Sequence, residues 1–287
     1  MTGTTALKKM RIKPIVKWAG GKSQLITALL DKTPDDFNDY YEPFFGSGAY
    51  FFALNPDGNV FINDINKTLM NLYRIAKENP EELTDKLRII QEEYNSLFDE
   101  KKSDYYYEKR KLFNTLEHHD TERIALFVFL NKTGYNGMYR ESSDGSYNIP
   151  FGKQKTASLI NNGDLLKLSE RLAKAKITDG DYLKVIDNAK MGDFIYLDPP
   201  YHPVTRTANF TSYNKNDFGE KDQIKLAKAI SKLTKRGCKI MLSNSDADFI
   251  KDLYKDFYIY EVEANRFINC KAESRGKVKE LIIANYK

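Results

Sequence analysis

An α/β fold with an inserted, mainly helical lobe is what this sequence predicts, on three observations. Short β-rich runs that stop in a glycine turn or an acid alternate with helical segments towards both ends of the chain. Between about residues 68 and 165 a charged stretch with helical spacing interrupts that alternation. The length of 287 residues exceeds the usual size of one core, so a core plus an inserted lobe fits it. The boundaries that follow are 1-67 and 166-287 for a split α/β domain and 68-165 for the insertion.

The first domain segment opens with Ile15-Val16 leading to Trp18-Ala19-Gly20-Gly21-Lys22 and a helix from Gln24 to Leu30. Tyr40-Tyr41-Glu42 reads as a strand entering the glycine turn Pro43-Phe44-Phe45-Gly46-Ser47-Gly48, with a helix over Ala49 to Leu54. Val60 to Asp64 is an apolar strand closed by an acid. Open α/β sheets built this way bind ligands at the carboxyl ends of their strands. In the insertion, Leu69, Leu72, Tyr73 and Ala76, then Leu83, Leu87 and Ile90, have helical spacing, and helices are expected as far as His119. Ile124 to Leu130 is a further apolar helix. It runs into Asn131 to Arg140, a polar loop at Ser142 to Ser146 and the segment Tyr147 to Gly152, which together predict a β-hairpin or extended loop. The α/β pattern resumes at Ile177 to Asp181. It continues with a strand at Phe194 to Leu197, a helix at Lys221 to Thr234, a strand at Lys239 to Ser245 and a final strand at Glu280 to Ala284.

Composition narrows the class. Hydrophobic residues make up 41% of the chain, and no apolar run approaches the ~18–20 residues of a membrane span. The first thirteen residues hold lysines but no apolar core of a secretory signal. Cys238 and Cys270 form no ligand cluster, and His118 and His119 are adjacent, so structural zinc is not expected and a cytoplasmic setting is the default. Net charge is +5, with six basic residues and no acid in residues 1–22 and six basic residues against two acids in 265–287. Basic ends fit a phosphate-contacting surface. Charge alone is explained as simply by solubility.

Four groups of residues carry chemistry. Phe194-Ile195-Tyr196-Leu197 ends in Asp198-Pro199-Pro200-Tyr201. The prolines fix φ and remove donors, Asp198 supplies an acceptor and Tyr201 a flat face. This corner reads either as a strand-to-turn packing element or as a pocket for the amino group of a planar heterocycle. Gly46-Ser47-Gly48 lacks the third glycine of a dinucleotide fingerprint, since Phe51 stands there, but a tight turn with Asp64 at the next strand end fits an adenosine-containing ligand. Gly21-Lys22-Ser23 resembles the end of a P-loop, yet Val16 occupies its first glycine position, so phosphate binding is set aside. Lys22 can still pair with a ligand carboxylate, and Trp18 reads as a ligand-lining ring or a core anchor. Tyr135, Asn136, Arg140 and Pro150 cluster around glycines, where an arginine can read guanine and a tyrosine can wedge between bases.

The succession Lys17-Trp18-Ala19-Gly20-Gly21-Lys22, Glu42-Pro43-Phe44-Phe45-Gly46-Ser47-Gly48, inserted lobe and Asp198-Pro199-Pro200-Tyr201 resembles the α group of the DNA adenine-N6 methyltransferase family. That group includes the Dam and DpnII-type modification enzymes, and the resemblance spans about Pro14 to Tyr286. It implies the S-adenosylmethionine-dependent methyltransferase fold, a doubly wound mixed sheet whose insertion is a target-recognition domain. It also implies S-adenosyl-L-methionine as donor, no metal, and double-stranded DNA as partner. A cognate restriction endonuclease stays open as a genetic rather than physical partner.

By the same resemblance, Trp18 and Lys22 would line the methionine end of the donor, and Phe44, Gly46 and Gly48 the adjoining turn. Asp64 would hold the ribose hydroxyls, and Asp181 with Tyr182 the adenine. Asp198 would face both donor and target amino group, with Pro199 and Tyr201 completing the catalytic corner. Lys17 would reach the guanine preceding the target, Tyr135 would intercalate, and Asn136 would approach the unpaired thymine. Met138 and Pro150 would contact a thymine methyl, and Arg140 would read an outer guanine. The family often has leucine where Met138 stands, which keeps the apolar contact and leaves its selectivity open. The implied site is GATC, with the adenine flipped out and the loop His202 to Asn216 closing over it. Two rivals remain at this point: amino methylation of cytosine N4 or of RNA, and a DNA-binding protein without catalysis.

Overall fold

The computed structural model describes residues 12, 14–22, 24–161, 163–204, 218–265 and 277–287. In chain order, α1 (Ile26–Asp31), β1 (Tyr40–Glu42), α2 (Ala49–Leu54) and β2 (Val60–Asp64) come first. Helices α3 (Lys67–Glu78), α4 (Pro80–Ser96), α5 (Asp99–Phe113) and α6 (Thr121–Thr133) follow, then α7 (Asp164–Leu172) and β3 (Ala175–Asp179). The remaining elements are α8 (Tyr182–Ile186), β4 (Phe194–Leu197), α9 (Glu220–Lys235), β5 (Lys239–Ser245), α10 (Asp248–Leu253), β6 (Tyr258–Asn265) and β7 (Lys277–Ala284). They fall into two units.

One unit holds the described residues up to Gly21, Gly46–Asn55 and Asn66–Gly180. Its centre is α6, in which every residue from Arg123 to Asn131 is buried. A helix apolar all round, as Ile124-Ala125-Leu126-Phe127-Val128-Phe129-Leu130 is, has no face to offer water and must be surrounded. Tyr94, Tyr105 and Tyr106 close on Phe129 with ring centroids 5.3, 5.6 and 6.2 Å away. Local capping sets the helix starts. Asn66 accepts the Leu69 N–H at 2.9 Å before α3, Asp120 accepts that of Glu122 at 2.8 Å before α6, and Pro80 opens α4. Beyond α6 a 3-10 turn at Tyr135–Gly137 leads into a hairpin marked by the bridges Gly134↔Phe151 and Glu141↔Tyr147.

The second unit holds Lys22–Phe45, Pro56–Ile65 and Asp181–Lys287. Its strands lie in the order β2-β1-β4-β5-β7-β6. Pairing is parallel from β2 to β5 and antiparallel on both sides of β7. All four residues of β4 are buried, as expected for a central strand covered on both faces. On one face Tyr41, Ile195, Leu197, Ile240, Leu242, Leu281 and Ile283 pack with Leu226, Ile230 and Leu233 of α9. The unit is thus a mixed α/β sheet, as the sequence predicts.

Some boundaries differ from the sequence reading. The strand expected at Ile177 to Asp181 lies two residues earlier, because Gly180 turns at φ +112° and Asp181 caps α8. The final strand begins at Lys277 rather than Glu280, since it pairs with β6 along its whole length. The expected helix from Gln24 to Leu30 begins at Ile26. Helices α7, α8 and α10 and strand β6 were not anticipated. Among the described residues no helix is long and apolar enough to cross a membrane.

Candidate active site

The buried strand β4 ends at Leu197 and hands the chain directly to Asp198. The Lys22 ammonium lies 2.8 Å from Asp198 Oδ2 and 4.6 Å from the centroid of the Tyr201 ring. The Tyr201 hydroxyl donates to Glu280 Oε2 at 2.8 Å. Asp198 retains 17% of its side-chain exposure, yet its Oδ1 is buried and has no hydrogen-bond partner among the described residues. One oxygen is therefore neutralised and the other is an open acceptor. Burial pushes the Asp198 carboxyl up to about 6, against the downward pull of Lys22, while Glu280 and Asp64 push it further up. Burial, with Asp198, Tyr196 and Glu280 close by, drives Tyr201 far above the ordinary phenol range, so it stays protonated as the donor to Glu280.

The corner is held from below by a polar chain. Buried Gln223 of α9 donates through Nε2 to the Pro200 carbonyl at 2.9 Å, and Asn244 Nδ2 donates to Gln223 Oε1 at 3.2 Å. Asn244 Oδ1 in turn accepts the His202 N–H at 3.0 Å, and the Ser245 hydroxyl donates to the His202 carbonyl. Both backbone flanks of Tyr201 are thus pinned to β5 and α9. Sequence reasoning missed Glu280, Gln223, Asn244 and Ser245; the one hint was a polar Ser243-Asn244-Ser245 ending to an otherwise apolar strand.

In the same unit Phe44 and Tyr182 pack with ring centroids 4.9 Å apart, and Phe218 joins them at 5.8 Å from Phe44 and 6.2 Å from Tyr182. The Tyr182 hydroxyl is buried without a hydrogen-bond partner among the described residues, and burial pushes it up to about 12. Asp181 caps α8, accepting the Leu183 N–H at 3.0 Å. Asp64 closes β2 beside Ile65, which is 72% exposed. The two strand ends are tied together, with Phe45 N–H on the Asn63 carbonyl at 2.8 Å and Asn63 Nδ2 on the Pro43 carbonyl at 3.2 Å. Flat rings, an orphan phenol, strand-end acids and an open carboxylate oxygen fit an adenosine-bearing, positively charged ligand.

In the other unit Trp18 packs on Tyr139 at 5.5 Å and Phe127 at 6.3 Å while remaining partly exposed. Gly46, at φ +50°, approaches the indole so closely that a Cβ there would lie 3.2 Å from Cδ1. Gly48, at φ +67°, precedes α2. The expected DNA-facing residues Lys17, Tyr135, Asn136, Met138, Arg140 and Pro150 are all exposed, Tyr135 at 53% and Met138 at 47%. Large apolar side chains left in water at a hairpin are the informative kind of exposure. Arg140 Nε donates to Asn148 Oδ1 at 2.7 Å, and the Pro150 carbonyl accepts the Tyr135 N–H at 2.9 Å. Of the expected closing loop, residues 205–216 lie outside the described residues, as do Cys270 and many of the basic residues at the two ends.

Residues 18–268 match the model of the D12 class N6 adenine-specific DNA methyltransferase family. The Type II methyltransferase M.MjaIII of Methanocaldococcus jannaschii is 41% identical, covering 96% of this chain and all of its own length. The Type II methyltransferase M1.LlaDCHI of Lactococcus lactis subsp. cremoris is 38% identical over 97% of each chain. The DNA adenine methylase of Haemophilus influenzae is 34% identical over 96% of this chain and 94% of its own. A family model covering most of the chain, and relatives aligned along nearly their whole length, place this chain in the D12 class of N6 adenine-specific DNA methyltransferases.

Proposed function

We propose that this adenine-specific DNA methyltransferase acts on double-stranded DNA at GATC, on an adenine flipped out of the helix, with Asp198, Pro199 and Tyr201 as its catalytic corner. The observation that carries the reading is the open Oδ1 of Asp198, a buried carboxylate oxygen at the end of a rigid strand, beside an aromatic face. The nitrogen of an aromatic amine is a weak nucleophile because its lone pair is spread into the ring. An ionised Asp198 Oδ1 and the Pro199 carbonyl would accept its two hydrogens, favour a pyramidal nitrogen and stabilise the positive charge that develops there. The task falls to the Pro199 carbonyl by the family resemblance, while the Pro200 carbonyl accepts from Gln223 and so holds the turn. Tyr201, fixed through Glu280, would stack on the extruded base and offset part of the few kcal/mol that unstacking costs.

The family implies S-adenosyl-L-methionine, which when bound supplies a methyl group on a positively charged sulfur. Trp18 and Lys22 would hold its methionine end, Phe44, Gly46 and Gly48 its flank, Asp64 its ribose, and Asp181 with Tyr182 its adenine. Segments 1-67 and 166-287 would serve donor binding and catalysis, and 68-165 target recognition. The GATC assignment rests on the likeness of Lys17, Tyr135, Asn136, Met138, Arg140 and Pro150 to the recognition residues of the Dam-like group, and their exposure supports it.

Methylation of a defined duplex library with labelled donor, followed by mapping of the modified base, tests the whole reading. N6-methyladenine confined to GATC is expected; N4-methylcytosine, or methyladenine spread over unrelated sequences, would overturn it. Asp198→Ala should abolish transfer in a protein with unchanged circular dichroism. Retained turnover in that variant would remove Asp198 from catalysis.

A further inference from the structure

We propose that Asn131 is a positioning residue for sequence readout, locking Lys17 and the Tyr135–Met138 turn into one register. This rests on the reading above that Lys17 and the turn face DNA bases. Asn131 sits in the last turn of α6 and has 0% exposure. Its amide makes three hydrogen bonds, all to backbone. Oδ1 accepts the Lys17 N–H at 2.8 Å, and Nδ2 donates to the Lys17 carbonyl and the Gly137 carbonyl, each at 2.9 Å. These partners fix which end of the amide is oxygen, since one side meets a donor and the other meets two acceptors. Lys17 is 114 residues away in sequence and Gly137 only six, so one side chain grips two segments that nothing local would bring into register.

Gly137 reinforces the clamp. At φ +63° a Cβ there would lie 2.4 Å from Lys17 Cδ and 2.9 Å from Lys17 Cβ, so the Lys17 side chain lies directly across the turn. On the far side the Tyr147 hydroxyl donates to the Met138 carbonyl at 3.3 Å. The groups that leave this clamp for solvent are Lys17, Tyr135, Asn136 and Met138. Packing does not explain the amide. It follows the apolar run Ile124 to Leu130 in α6, and a fully buried polar group there is costly unless its hydrogen bonds are made. Arg140 is held by a different residue, Asn148, which accepts from Arg140 Nε and donates its own N–H to the Arg140 carbonyl at 3.1 Å. The two base-reading positions therefore have separate supports.

The test compares kcat/KM on GATC duplexes and on single-base variants for Asn131→Ala, Asn131→Asp, Lys17→Ala and wild type, with donor affinity by calorimetry as a check on folding. Asn131→Asp keeps the size and the acceptor for Lys17 but loses both donated bonds. Either variant should lower discrimination at the pair read by Lys17 about tenfold, the scale of one good base contact, and leave the Arg140 pair within about twofold. Gly137→Ala leaves α6 intact and displaces Lys17 from the opposite side; it should relax the same pair. A fall in rate that is uniform over all sequences would show a merely structural role and overturn the proposal. If Lys17→Ala relaxes a pair that the Asn131 and Gly137 variants leave unchanged, the proposal fails while the reading of Lys17 stands. If Lys17→Ala alters no base preference, that reading falls and the proposal with it.

Discussion

Replacing Lys22 with methionine isolates the charge balance at the proposed catalytic corner. The lysine is buried, its ammonium sits 2.8 Å from Asp198 Oδ2, and it is the main influence holding that carboxyl down against burial. The balance leaves Asp198 at about 6 rather than its ordinary 3.8. A hydrogen bond between charged groups contributes roughly 1.5–3 kcal/mol, and about 1.4 kcal/mol corresponds to one pH unit of titration. Lys22→Met, which keeps the apolar stem, should therefore move Asp198 upward by about one to two pH units, to roughly 7–8. The ionised carboxylate is acceptor-only on both oxygens, whereas protonation turns one of them into a donor. In the wild type kcat/KM for the donor, which reports the donor-free enzyme, should rise with pH and level off above about 6. In the variant that rise should shift with the carboxyl, costing roughly two- to tenfold at pH 7 and recovering near pH 9. Loss of a contact to the donor's carboxylate would lower the whole profile without moving its limb. An acid limb that stays at the wild-type position in Lys22→Met, by kinetics or by carboxyl-carbon NMR of Asp198, would refute the reasoning.

Glu280→Gln keeps the acceptor for the Tyr201 hydroxyl but removes a negative charge that pushes Asp198 up, so the acid limb should move down, opposite to Lys22→Met and by less. A shift upward, or a pH-independent collapse of activity, would contradict that role. Arg140→Ala should cost ~1–3 kcal/mol of discrimination at a single base pair. Competition between GATC and its single-base variants measures this, and equal losses at every position would remove Arg140 from base readout.

The parts of this molecule that were readable in advance are those whose signal is local. Strands β2, β4 and β5 and helix α2 appear in the sequence as apolar runs cut off by an acid, a proline or a glycine, and the structure places them at those residues. The buried helix α6 announced itself by being apolar on every side. Strand β6 did not, because Tyr258-Ile259-Tyr260-Glu261-Val262-Glu263 alternates on an edge and gains its identity only from pairing with β7. Helix α7 carries Leu165, Leu168 and Leu172 at helical spacing and could have been found. Of the corner, Asp198 and Tyr201 were legible because chain rigidity and chemistry coincide in four consecutive residues. Their supports were not. Glu280 reaches Tyr201 across 79 residues, and Asn244 reaches His202 across 42, so nothing near either residue in the sequence encodes the partnership. Asn131 is the same case, a polar letter in an apolar helix whose meaning lies 114 residues away.

The reversed direction of β7 has a consequence for how the enzyme comes to life. Parallel strands bring their finishing ends to the edge where Asp198 sits, but β7 runs the other way and brings Glu280, near its beginning, opposite Ser245. It also slots between β5 and β6, both of which precede it in the chain. A ribosome-bound chain that has already exposed Asp198, Tyr201 and Lys22 would thus lack the carboxylate that anchors the tyrosine. The corner is therefore complete only when β7, the last strand of the described chain, stands between β5 and β6.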